Sequence, residues 1–221
     1  MQQPQEIVKP KVHDLLKLRP DSLNGACIGA PAWVRQSLSS CPWAVVRRAQ
    51  GPPGQIAVGV RGPSRNERWG SFLSTELIDR VVTPMDLLTV ARASTSCFRT
   101  PAFEVLQQLM ERWCDFALPW GPTGSVGFEL ATGCLATTSQ SDLDIAIRAE
   151  TRISLDQARW ICERATGLPR RVDTRVETPE CGFSLEEYAR GSSTILLRYS
   201  EEARFGNDPW AKDPRAMEST P

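Results

Sequence analysis

The chain has 221 residues, of which 41% are hydrophobic and 24% are charged, and Lys plus Arg equal Asp plus Glu at 26 each. This balance allows a sizeable core and excludes a protein whose net charge would draw it to nucleic acid or to a membrane surface. The single histidine, His13, excludes a His-rich zinc site, so any chemistry must depend mainly on carboxylates, arginines and backbone groups.

The seven cysteines form an odd set with no C-x-x-C pair, and several lie in apolar periodic stretches, a pattern that predicts reduced thiols packed in the core of a cytoplasmic protein. The sequence does not open on a basic segment followed by an apolar run, and it contains no apolar run of about 18 residues. We therefore expect neither export nor membrane insertion.

The first part of the chain, residues 1–85, predicts a small α+β portion. Segment 42–61 has two short apolar runs joined by the turn-forming sequence GPPG, which is typical of a β-hairpin. Segment 74–93 shows two short helical patterns, and Thr83-Pro84 separates them, because proline suits the first turn of a helix.

The second part, residues 86–221, predicts alternating helices and strands. A helix is expected at 100–116 with Thr100 as its cap, and another at 154–169 that begins with a capping box of Ser154 and Gln157. This alternation predicts an α+β fold with α/β-type layers. Short strands are predicted at 141–147, 170–177 and 193–200.

Asp142 and Asp144 lie one residue apart in the predicted strand SDLDIAI. The two-residue period of a strand would place both carboxylates on one face. Two unit charges about 4 Å apart repel by about 4 kcal/mol at an effective dielectric constant of about 20. A bound cation would reverse the sign of that interaction, and Mg²⁺ is commonly held by one or two carboxylates plus substrate phosphates. The alternative is an exposed strand end with two solvated acids.

A Gly-Ser pair, Gly124 and Ser125, precedes the aspartates in TGSVGFELATG. This stretch predicts a turn that enters a short helix, whose free N–H groups and dipole favour an anion. Gly124 would let a phosphate approach the main chain, and the Ser125 hydroxyl could donate to a phosphate oxygen. Phosphate beside a magnesium site indicates phosphoryl transfer, while the absence of GxxxxGK[ST] argues against a P-loop ATPase.

The Gly-Ser pair followed by Asp-Leu-Asp resembles the signature of the nucleotidyltransferase superfamily, in which a later strand supplies a third carboxylate. Asp173, in RRVDTRVE, stands where that residue is expected, and Glu177 on the same predicted face is the alternative. More narrowly, the chain contains the motifs LLKLRPDSL, AVVRRAQ, ELATG with SDLDI, and VDTRVETPECGFSLEEYAR. Together these motifs resemble the phosphoribosyl-dephospho-CoA transferase of malonate decarboxylase, also called malonate decarboxylase holo-[acyl-carrier-protein] synthase. The likeness spans about residues 12–199. It differs at GSVGFE, where the family pattern has GSLAWQ.

The resemblance implies a nucleotidyltransferase-like mixed sheet and a specific reaction. The enzyme would transfer phosphoribosyl-dephospho-CoA from triphosphoribosyl-dephospho-CoA to a serine of the malonate decarboxylase acyl-carrier subunit, releasing pyrophosphate. Asp142, Asp144 and Asp173 would be the catalytic acids and would hold Mg²⁺, while Gly124 and Ser125 would bind phosphate. Candidates for charge compensation at the triphosphate are Arg47, Arg48, Arg61, Arg171 and Arg175.

Some of these residues also have a simpler structural interpretation. Asp173 could pair with Arg171 and Arg175, which flank it on the predicted strand face, and Arg47 and Arg48 could be solvated at a strand end. Two other functions are also open: nucleotidyl transfer to another small molecule or protein, and a non-catalytic domain that binds the carrier. The last is motivated by the excess of basic residues in 1–120 and of acidic residues in 121–221, and by the altered SVGFE segment.

Overall fold

The computed structural model describes residues 9–64, 66–93 and 100–213. The chain divides into two compact units, Met1–Thr83 and Pro84–Pro221. Each unit has its own sheet and its own hydrophobic cluster. Two sheets with helices packed against them confirm the predicted α+β class.

The first unit is built on a five-stranded antiparallel sheet with the order β4-β3-β2-β1-β5. The predicted hairpin is confirmed, because β2 and β3 pair antiparallel with Val46 opposite Val58. Alternate strand residues and the buried face of α2, Val34 and Leu38, form the core. The elements are β1 (Leu15–Leu18), α1 (Leu23–Ala26), α2 (Ala32–Ser40), β2 (Trp43–Val46), β3 (Gln55–Arg61), β4 (Arg68–Ser74) and β5 (Ile78–Val82).

Half of the helical prediction for segment 74–93 is wrong. A short 3-10 turn, Thr75–Leu77, leads into β5, and only the part after Thr83 is helical. β5 pairs antiparallel with β1, with Leu16 opposite Val81. Branched side chains such as those of Val81 and Val82 fit a pleated sheet well, and this pairing outweighs the weak helical periodicity.

The second unit is built on a six-stranded mixed sheet with the order β11-β10-β9-β8-β7-β6. β7 and β8 are parallel, and α6 connects them, whereas the other neighbouring pairs are antiparallel. The strands are β6 (Trp120–Pro122), β7 (Leu143–Arg148), β8 (Val172–Glu177), β9 (Gly182–Ser184), β10 (Ile195–Arg198) and β11 (Ala203–Gly206), and the helices are α3 (Pro84–Ala93), α4 (Pro101–Arg112), α5 (Gly124–Thr132), α6 (Leu155–Arg164) and α7 (Leu185–Ala189).

The helix starts follow the sequence signals to different degrees. The capping box of α6 is confirmed: the Ser154 hydroxyl accepts from the Gln157 amide, and the Gln157 side chain accepts from the Ser154 amide. Thr100 is the N-cap residue of α4 but makes no side-chain cap bond. Its hydroxyl donates instead to the Thr137 hydroxyl at 3.3 Å.

The two faces of the second sheet differ sharply in chemistry. Residues paired across neighbouring strands point to the same face of the sheet. The strand register therefore shows to which face each side chain of β7, β8, β9 and β10 points. One face is apolar and packs with α4 and α6 into a single core. The other face, which we call the polar face, carries Asp144, Arg148, Asp173, Arg175, Glu177 and Arg198.

The cysteines correct one expectation. Four are free thiols, as predicted: Cys27 and Cys181 are buried and Cys162 is half-buried, but Cys114 is exposed, so its predicted place in the core is wrong. Cys41 and Cys134 are each one half of a disulfide, so the prediction of a reduced thiol is wrong for both residues, because disulfide formation depends on spatial proximity that sequence spacing does not reveal. Cys97 lies outside the described residues. In the described part of the chain, no helix has the length and apolar character needed to cross a membrane.

Candidate active site

Asp144 and Asp173 are direct neighbours on the polar face. The parallel pairing of β7 with β8 puts Asp144 opposite Asp173, and both side chains are half-buried. Adjacent strands lie about 4.8 Å apart, so the two carboxylates project side by side from the sheet. Such a pair of like charges is costly unless a cation lies between or beside them.

The start of α5 lies against the Asp144 carboxylate. Gly124, the first residue of α5, has a φ of 57°, and a Cβ placed there would overlap the Oδ2 atom of Asp144. The Thr123 amide donates to the Asp144 carbonyl oxygen at 2.8 Å. Only a glycine permits this approach, because it combines the left-handed conformation with the absence of a side chain. The Gly-Ser pair and the second aspartate of the sequence motif are thus brought together.

Ser125 is the second residue of α5 and is half-buried. The N-cap of this helix, Thr123, makes no side-chain cap hydrogen bond, in contrast to Ser154 of α6 and Ser184 of α7. The N–H groups of a helix's first turn have no acceptor within the helix. At α5 they lie next to Asp144, where a phosphate bound to a metal would meet them.

Gly127 accounts for the altered SVGFE segment. A Cβ at Gly127 would lie 2.6 Å from the carbonyl oxygen of Pro122, in a buried position where α5 crosses the end of β6. Glycine therefore serves the close packing of helix on strand. This contact weakens the argument that the segment marks a binding-only domain.

Asp142 differs from its predicted position. β7 begins at Leu143, so Asp142 is an exposed residue just before the strand, and its placement does not follow from strand alternation. The Leu143 amide donates to the Arg171 carbonyl oxygen at 3.0 Å, which ties this point of the chain to the start of β8. The strand was predicted too long because nothing in the sequence marks where its pairing stops.

The loop that leads to Asp142 is held by Glu129, a residue that sequence reasoning missed. One carboxylate oxygen of Glu129 accepts from the Ala136 amide at 3.0 Å, the Thr137 amide at 2.9 Å and the Thr137 hydroxyl at 2.8 Å. A side chain of Arg170 donates to the Ser139 carbonyl oxygen of the same loop. The only sequence signal was a lone acid in the otherwise apolar stretch SVGFELA.

The predicted arginines fall into three groups. Arg175 lies on the polar face, and its Nη2 atom is 3.2 Å from Oδ2 of Asp173. Arg171 is exposed, and its Nη2 atom lies 3.6 Å from Oε2 of Glu186. The first unit contains the other three: Arg47 and Arg48 directly follow β2, and Arg61 is the last residue of β3.

Glu177, the alternative third carboxylate, lies farther along the strand. It is in register with Arg148, four residues beyond the Asp144–Asp173 pair. Strand residues rise about 3.3 Å each, so this displacement is about 13 Å along β8. Asp173 is therefore the carboxylate that the sheet places beside Asp144.

The residues at this position fit a magnesium ion that shares its coordination with a phosphate. Two aspartates on adjacent strands supply hard oxygen ligands, and Mg²⁺ usually takes its remaining ligands from water and substrate. Within residues 9–64, 66–93 and 100–213, no group of three or more His, Cys, Asp or Glu is arranged to hold a metal ion. The three-aspartate set therefore stays a prediction.

Comparison with known proteins identifies the family. Residues 88–209 match the family described as phosphoribosyl-dephospho-CoA transferase MdcG C-terminal domain, and residues 11–84 match the corresponding N-terminal domain. The chain belongs to the phosphoribosyl-dephospho-CoA transferase family. This membership confirms the resemblance seen in the sequence motifs and the prediction that the chain is a transferase.

Curated members of the family are similar over nearly their whole length. A phosphoribosyl-dephospho-CoA transferase of Azotobacter vinelandii is 36% identical, with 91% of this chain and 94% of the relative covered. One from Pseudomonas fluorescens is 37% identical, with 94% and 98% covered. One from Pseudomonas aeruginosa is 35% identical, with 91% and 94% covered. No solved structure matches the chain significantly.

Proposed function

We propose that this chain transfers phosphoribosyl-dephospho-CoA from triphosphoribosyl-dephospho-CoA to a serine of the malonate decarboxylase acyl-carrier subunit, in the cytoplasm, with release of pyrophosphate. The names of the relatives support the transferred group. The observation that carries the proposal is the convergence of Asp144, Asp173 and the start of α5 at one end of β7 and β8. That arrangement brings cation ligands and phosphate-binding N–H groups to the same place.

The proposed reaction is a displacement at phosphorus. The serine Oγ attacks the phosphorus atom closest to the ribose, a P–O bond forms to serine, and the P–O bond to pyrophosphate breaks. The serine proton passes to a base, for which the Asp173 carboxylate is the candidate because it is placed beside Asp144. The product is a phosphodiester between the carrier and the prosthetic group.

Asp144 and Asp142 would hold Mg²⁺, with Asp173 completing a second position or assisting the serine. The ion, when bound, would neutralise the triphosphate and stabilise the charge that develops on the leaving pyrophosphate. Groups of the protein itself would orient the substrate phosphates and add positive charge. The amides at Gly124 and Ser125 orient phosphate oxygens, and Arg175 adds positive charge while its contact with Asp173 fixes that side chain.

The test is pyrophosphate release by the full-length protein with donor, apo carrier and Mg²⁺. We expect release that requires all three components, and we expect ATP or CTP in place of the donor to give little. Efficient turnover with an ordinary nucleoside triphosphate would favour the alternative of nucleotidyl transfer to another acceptor. Carrier binding without turnover of any donor would favour a non-catalytic role.

A further inference from the structure

Arg198 lies on the polar face without having been anticipated as a site residue. It ends β10 and pairs with Gly182 of β9, which in turn pairs with Glu177 of β8. Pairing preserves the face across neighbouring strands, so the Arg198 side chain emerges on the same side as Asp173 and Arg175.

The Arg198 side chain is half-buried, and one nitrogen of its guanidinium is enclosed without a hydrogen-bond acceptor in the described part of the chain. Its Nη1 atom is buried and, among the residues that the structure describes, donates to no acceptor. Burial lowers the pKa of this guanidinium, the charge of Arg175 lowers it further, and Glu187 and Asp173 oppose the change. Glu187 already accepts from the Leu196 amide at 3.2 Å, and Asp173 already contacts Arg175. Enclosing one nitrogen of a guanidinium without an acceptor is costly, which points to a ligand that accepts a hydrogen bond from it.

The strand between the two arginines leaves room for that ligand. β9 lies between β8 and β10, and its two residues on the polar face are Gly182 and Ser184, with Ser184 opposite Arg175. Neither residue carries a bulky side chain. Arg175 and Arg198 therefore lie on either side of a strand whose residues on this face are small. Glu177 borders that strand opposite Gly182, and the aspartate pair lies beyond Arg175 along β8.

We propose that Arg198 binds the pyrophosphate portion of the donor, together with Arg175, on the polar face across β9. The inference rests on the proposed function for the nature of the anion and goes beyond it by assigning a residue to the leaving group. Two guanidinium groups next to a carboxylate-held cation form a site for a diphosphate, because arginine donates paired hydrogen bonds to phosphate oxygens. Binding would satisfy the buried Nη1 atom and screen the two arginines from each other.

The test is the affinity of the full-length protein for inorganic pyrophosphate, measured by calorimetry at fixed Mg²⁺ concentration. We expect Arg198→Gln to weaken binding by about tenfold or more, as loss of a charge-assisted hydrogen bond should. Arg198→Lys should restore only part of the affinity, because lysine keeps the charge and loses the planar fork. The matched control is Arg190→Gln, whose exposed side chain pairs with Glu186 at 2.7 Å, and it should bind as the wild type does.

Thermal unfolding separates this role from a structural one. A binding role predicts that Arg198→Gln unfolds at or above the wild-type temperature, since it removes a partly buried cation that is repelled by Arg175. A structural role predicts a lower unfolding temperature. If Arg198→Gln does not fold, Arg198→Lys decides through its affinity alone. Pyrophosphate affinity that is unchanged in both variants, or absent in the wild type, overturns the proposal. Binding that depends on Arg198 in a protein that fails to label the carrier would instead overturn the proposed function; Arg198 would remain a pyrophosphate-binding residue, but not one that binds this donor.

Discussion

Gly124 is the residue on which the geometry of the candidate site depends most directly. Its φ of 57° and its contact with the Asp144 carboxylate both require the absence of a side chain. Gly133, at the other end of α5, has a similar φ of 72° but has no heavy atom within 4 Å of a Cβ built there. The two glycines therefore share a left-handed backbone conformation, which would strain any other residue, and differ in what a methyl group would contact.

Gly124→Ala should displace the Asp144 carboxylate and lower the transfer rate by about 100-fold, the effect expected when a reacting group moves by about 1 Å. Gly133→Ala should lower the free energy of unfolding by about 1–2 kcal/mol, because alanine is strained in the left-handed conformation. It should leave the transfer rate near that of the wild type. Chemical denaturation and carrier-labelling rates measure the two effects. Equal loss of activity in both variants would show that strain, not contact with Asp144, is responsible.

The third carboxylate can be decided by a pair of conservative changes. Asp173→Asn should lower the transfer rate by about 100-fold or more, because the residue in register with Asp144 loses its charge and its capacity to accept a proton. Glu177→Gln should retain most of the activity, because it is in register with Arg148 instead. The rates should be compared across a range of Mg²⁺ concentrations. The opposite order of effects would make Glu177 the third carboxylate.

At the scale of elements, the loop between α5 and β7 is positioned by α5 itself. Glu129 projects from the helix and accepts three hydrogen bonds from Ala136 and Thr137. The loop continues to Asp142, so α5, whose first residue lies against the Asp144 carboxylate, also holds the loop that leads to the first aspartate of the motif. One element thereby positions both ends of the proposed metal site.

Glu129→Ala should loosen this loop without unfolding the unit. We expect faster hydrogen exchange at the Ala136 and Thr137 amides and a loss of about 1 kcal/mol of local stability, since partly buried donors would lose their acceptor. Glu104→Ala, at an exposed position in the first turn of α4, is the control and should leave exchange in the loop unchanged. Unaltered exchange in Glu129→Ala would show that the loop is held by other contacts.

At the scale of the whole molecule, local signals in the sequence predicted much of the fold. The GPPG hairpin, the helix that begins at Pro101 and the capping box at Ser154 all depend on residues close together in the chain, and all are present. The family was also readable, because its motifs occur in order along most of the chain.

The features that were missed depend on partners distant in sequence. β5 is a strand because it pairs with β1, more than fifty residues earlier, and that pairing overrides its helical pattern. Arg198 reaches the polar face through a register that runs across three strands. The contact of Gly124 with Asp144 likewise needed the packing of α5 on β7 to become visible.

The most direct test of the central claim is intact-mass analysis of the apo carrier subunit after incubation with this protein, Mg²⁺ and triphosphoribosyl-dephospho-CoA. We predict a mass gain equal to one phosphoribosyl-dephospho-CoA group, lost on chelation of the metal and lost with a folded Asp144→Asn variant. Two results would contradict the proposed role of the paired aspartates: a carrier that stays unmodified with a verified donor, or full labelling by Asp144→Asn at the wild-type rate.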